Sequence, residues 1–184
     1  MRRRLKDYRV TKPPERPLGQ PGNVIINFLD ATGALEQSFD FSVHASRPIM
    51  AAELAFAFRN HLADKSAATR RVTFVHGVRN WFRFDAHARS GPTAASMADV
   101  DTSMLNAFIV WLNRRPIGKG TRQTIWSSFK QLVAWLQRHR SDLVHPELDL
   151  PFNPFPRTRA EAKPREALSK AELEAVLSVC CLRS

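Results

Sequence analysis

GKGTRQTIWSSFKQLVAWLQRHR, residues 118–140, decides the fold. Ile125, Phe129, Leu132, Val133 and Leu136 recur at three- and four-residue spacing, which places them on one side of a helix. Gln123, Ser127, Lys130, Gln131 and Arg138 fall on the other side. The stretch therefore predicts a long amphipathic helix whose apolar stripe needs a helical body to pack against. Gly-Lys-Gly introduces it, and Thr121 is the expected cap. The first turn then offers free backbone N–H groups beside Lys119 and Arg122, an arrangement that suits a phosphate. An ordinary helix with a solvated polar face would show the same pattern.

Upstream, three more helices are expected. Ser46 as cap and Pro48 in the first turn open one that carries Leu54, Phe58 and Leu62 and runs to about His61. Another starts after Ser66, with Phe74, Val75, Val78, Trp81 and Phe82 inward and His76, Arg79, Asn80 and Arg83 roughly opposite. Residues 89–98 read as a loop. A third helix begins near Asp99 to Thr102, carries Leu105, Phe108, Ile109 and Leu112, and stops at the Pro116 barrier. Trp81, Phe82 and Phe129 lie on apolar faces and read as core; Trp135 falls near the polar edge.

Before the helices, residues 23–43 change period. Val24, Ile26 and Phe28 alternate with Ile25, Asn27 and Leu29; Asp30-Ala-Thr-Gly33 follows, then a run ending Ser38-Phe-Asp-Phe41. This predicts a β-hairpin, which needs the helical body or a partner to be stable. Residues 1–22 form a basic, proline-rich arm, read as disordered or laid along a phosphate backbone. Residues 141–165 contain five prolines and read as a linker. Residues 166–184 open a new helix, where Ser169 and Glu172 have capping-box spacing. The expected organisation is mainly α: arm 1–22, hairpin 23–43, four-helix domain 46–140, linker 141–165 and a terminal helix 166–184.

The formal net charge is +11, and arginine greatly outnumbers lysine. Such a balance points to a polyanion, and guanidinium is the better bidentate phosphate ligand. No apolar run approaches the roughly 20 residues of a membrane span, and the Met-Arg-Arg-Arg start lacks a signal peptide's apolar stretch. Cys180 and Cys181 are adjacent, without zinc-site spacing, and read as free thiols of a cytoplasmic protein.

Chemistry-bearing motifs are absent. There is no HExxH, Walker A loop, GxGxxG or Gly-x-Ser-x-Gly. The six histidines have no ligand spacing, and Asp99 and Asp101 read as helix caps. Tyr8, the only tyrosine, lies in the arm with nothing to hold it for catalysis. No catalytic residue, metal ligand or cofactor site is expected.

In their order, several features resemble the N-terminal half of a tyrosine recombinase, or phage-type integrase. They are Thr121-Arg122 opening the fourth helix, Phe129, Leu132 and Trp135-Leu136 within it, Asn153-Pro154, and Pro164 to Leu173 with its Leu-Ser-x-x-Glu-Leu start. The resemblance covers about residues 46–182. It implies a SAM-like core-binding domain that forms half of a clamp on duplex DNA, with Leu168 onward beginning a truncated catalytic domain. The family's catalytic arginines, histidine motif and nucleophilic tyrosine map onto nothing here. The expectation is a DNA-binding, non-enzymatic chain with double-stranded DNA and other recombinase protomers as partners. Half of a clamp binds weakly alone. Lys119, Thr121 and Arg122 would grip phosphates; Gln123, Ser127 and Lys130 would approach a groove; Arg79 and Arg83 would do similar work on the second helix. The alternatives are a small helical protein-interaction module and an RNA-binding protein.

Overall fold

The computed structural model describes residues 24–44, 46–88 and 94–156. The arm, residues 157–165 of the linker, the terminal helix and both cysteines lie outside them. The described chain is mainly α, preceded by a two-stranded antiparallel hairpin.

Strands β1 (Ile25–Leu29) and β2 (Leu35–Asp40) pair with Ile26 opposite Phe39. The turn between them is dictated by its residues. Gly33 N–H donates to the Asp30 carbonyl at 3.0 Å, and Gly33 takes the positive φ of 86° that glycine tolerates. The Asp30 carboxylate accepts from the N–H groups of Thr32 (2.9 Å) and Ala34 (3.0 Å). Ile26, Phe28, Phe39 and Phe41 are buried; the rings of Phe28 and Phe39 meet Phe58, and that of Phe41 meets Phe74, edge-on. The hairpin thus packs on the helical body.

Helix α1 (Pro48–His61) has Pro48 in its first turn, as expected. Ser46 is not its cap: Arg47 holds that position and makes no side-chain capping bond. Arg47 Nε instead donates to Asp85 at 2.9 Å.

Helix α2 consists of three continuous pieces: Ala67–Val72, a π-turn at Thr73–Val78, and Arg79–His87. Ser66 caps its start, accepting from Thr69 N–H. The π-turn corrects two expectations, because it widens one turn and shifts the phase of the residues within and after it. Val75 is 37% exposed, whereas Asn80, expected to lie opposite the buried face, is 5% exposed. Asn80 Nδ2 donates to the carbonyls of Val75 (3.1 Å) and His76 (2.9 Å) within the widened turn.

Helix α3 (Thr102–Arg114) is capped by Asp101, which accepts from Met104 N–H at 2.7 Å. Asp99 closes a capping box with Ser96 on the short turn just before it. Helix α4 (Lys119–His139) buries Ile125, Phe129, Leu132, Val133 and Leu136, the stripe read from the sequence. It also buries Trp126 and Ser128. Thr121 is not its cap: Gly118 precedes the first turn, and Thr121 is an exposed residue within it.

Helices α2 and α4 cross antiparallel. Thr73 accepts from Gln131 at 2.8 Å, Gly77 lies against Ser128 and Phe129, and Trp81 stacks on Phe129 at 4.3 Å.

Candidate nucleic-acid interface

The first turn of α4 is built into the fold through arginines. Arg122 donates one amino group to Asn113 Oδ1 at 3.2 Å and the other to the Arg115 carbonyl at 3.2 Å. Arg115 in turn donates to Asn80 Oδ1 at 2.7 Å and lies over the Trp111 ring at 4.8 Å. Asn80, Arg115 and Arg122 thus link the polar flank of α2, the end of α3 and the start of α4. Arg83 is exposed one helical turn beyond Asn80. Arg122 Nε and Gln123 Oε1 are enclosed yet have no hydrogen-bond partner among the described residues.

The expected phosphate and groove contacts therefore divide into groups. Lys119, Thr121 and Ser127 are exposed. Arg122 and Gln123 are half-buried, with Arg122 holding the helix junction together. Arg79 is exposed, and its guanidinium lies 5.3 Å from the Phe74 ring centre. Beside it His44 stacks on Phe82 at 3.8 Å; burial, then the Arg79 charge, push the imidazole pKa down to about 4.

Lys130 has a different role. Its ammonium donates to the carbonyls of Leu150 (3.3 Å) and Pro151 (2.9 Å). Residues 144–156, within the segment read as a linker, run as a strap along α4. The strap buries Val144, Leu148 and Phe155 and accepts from Trp126 Nε1 at Pro151 (3.2 Å) and from Gln137 at Leu148 (2.8 Å). Within it, Asp149 N–H donates to Thr102 Oγ1 at 3.0 Å.

Two polar anchors had no local signal. Arg70 is fully buried, donating to the carbonyls of Leu62 (3.1 Å) and Ala63 (2.9 Å) and to Glu36 (2.9 Å), over the Phe28 ring at 4.0 Å. It joins the end of α1 to the hairpin. Glu53 is buried and accepts from Met97 N–H at 2.7 Å; burial raises its carboxyl pKa.

Charge is unevenly distributed along the sequence. In the described residues 14 Lys and Arg stand against 11 Asp and Glu, which leaves +3 of the chain's +11. Among the described residues no helix is long and apolar enough to cross a membrane, and no His, Cys, Asp and Glu residues group as a metal site. No protein-family model matches the chain, and neither the curated proteins nor the solved structures contain a match.

Proposed function

We propose that this chain binds double-stranded DNA, as the core-binding part of a tyrosine-recombinase-like assembly whose strand chemistry uses catalytic groups this sequence does not contain. The supporting observation is the junction of α2 and α4. Asn80, one turn before the exposed Arg83 of α2, is joined through Arg115 to Arg122 in the first turn of α4, which also carries the exposed Lys119. The two helices that carry the expected phosphate contacts are thereby tied together, which lowers the ordering cost of binding. Phosphate contacts of this kind position a protein without reading sequence, so general affinity for duplex is the primary activity. Other protomers bound to the same DNA are the expected second partners.

The near-balanced charge of the described body favours a second reading, a protein-interaction module whose basic character resides in its flanking segments. Titration of a labelled duplex with the full chain at low and moderate salt tests the first reading. Binding that falls steeply with salt supports it, because each neutralised phosphate releases counterions. Absence of binding at low salt rejects it in favour of the second.

A further inference from the structure

Phe152 is 90% exposed, although the backbone around it is firmly held. The Pro151 carbonyl just before it accepts from both Trp126 Nε1 and Lys130 Nζ. Three residues later, Phe155 is buried. Pro151 and Pro154 restrict the chain on either side. The ring lies 5.4 Å from the Lys130 ammonium, within cation–π range, and one of the three Lys130 N–H groups remains beyond the two bound to carbonyls. Lys130 continues the Gln123–Ser127 row of α4 at i, i+4 and i+7, so the ring stands at the end of that row.

An exposed aromatic face beside a cation, on a backbone already held at Pro151, suits a flat π-system that carries a negative charge. A nucleobase with its phosphate has that chemistry, and stacking of this kind tolerates any base. Resting on the DNA-binding reading above, the geometry points to Phe152 as a stacking residue for an unpaired nucleobase, with Lys130 beside it to meet the adjoining phosphate. Trp126 is the positioning residue, acting through the Pro151 carbonyl.

The test measures binding of the full chain and of Phe152→Ala and Phe152→Trp to three labelled DNAs. These are a fully paired duplex, the same duplex with one bulged 2-aminopurine, and a single strand. The ring is exposed, so both variants should keep the wild-type thermal melt. The expected result is about a tenfold loss by Phe152→Ala on the bulged and single-stranded DNAs, in the range of one stacked base. Affinity for the paired duplex and the salt slope should stay unchanged. Phe152→Trp should restore binding, and wild type should quench 2-aminopurine where Phe152→Ala does not. Equal affinity of wild type and Phe152→Ala on all three DNAs overturns the inference while leaving the DNA-binding reading intact. No binding of any DNA by wild type overturns both. Unchanged DNA affinity with altered sedimentation of Phe152→Ala identifies the ring as a protein contact, which also overturns the inference.

Discussion

Gly77 of α2 rests directly on the backbone of Ser128 in α4: a Cβ at position 77 would lie 2.8 Å from the Ser128 carbonyl carbon and 2.9 Å from the Phe129 nitrogen. The obstacle is backbone, which cannot swing aside. Gly77→Ala should force the helices apart and cost about 1–3 kcal/mol, the usual range for overpacking. Urea denaturation of the variant checks this. A wild-type midpoint would show that the crossing has slack.

Arg70 joins α1 to the hairpin through two carbonyls and Glu36. Arg70→Met preserves much of the side-chain volume but leaves those acceptors without the guanidinium. A loss of about 1–3 kcal/mol is expected, the cost of leaving the Leu62 and Ala63 carbonyls without their donor, because Glu36 stays in reach of water. Hydrogen exchange should accelerate in β1 and β2 before it does in α4, because the hairpin loses its tie to α1.

The stripe of α4 was legible in the sequence because a 3.6-residue period survives in a straight helix. Beyond Thr73 in α2 the same reasoning misplaced Val75 and Asn80, because a π-turn changes the period without a local sequence signature. The hairpin was legible from its alternation and its Asp-x-x-Gly turn, and its docking face is the one that carries the four buried residues. Arg70 and Glu53 could not be recognised as interior, since burial of a charge depends on partners distant in sequence: Glu36 for one and Met97 for the other. At the candidate interface, Arg79, Arg83 and Lys119 are exposed as expected. The strap partners of Lys130 lie 20 and 21 residues away, and helical spacing carries no information about them.

Glu53 tests the cost of a buried carboxylate. Its folded pKa is raised by burial above the ordinary value, so its charge at neutral pH opposes folding and its contribution is most favourable at low pH. Glu53→Gln retains an acceptor for Met97 N–H without the charge. At pH 7 it should be at least as stable as wild type, and the two should converge as pH falls through the raised pKa. Glu53→Leu removes the acceptor and should be less stable than Glu53→Gln by about 1–3 kcal/mol, the cost of an unpaired buried donor.

His44 works in the opposite direction. Its folded pKa is about 4 against an ordinary 6.5, so the folded state binds fewer protons between those values. The His44 contribution to stability is present above pH 6.5 and is lost progressively as pH falls towards 4. His44→Phe keeps a ring against Phe82 but does not titrate. Denaturation midpoints measured from about pH 7 down to about pH 4.5 should therefore fall less for the variant than for wild type. Equal falls would place the acid sensitivity on other groups.

The most direct test of the interface compares the salt dependence of duplex binding by the full chain with that of Arg79→Gln/Arg83→Gln. Both side chains are exposed, so the fold should be unaffected. If α2 contributes phosphate contacts, the double variant binds more weakly and its log–log salt slope is shallower by roughly one to two, at about 0.9 per phosphate. An unchanged affinity and slope in the folded variant would contradict the account, because α2 would then contribute no phosphate contact to duplex binding.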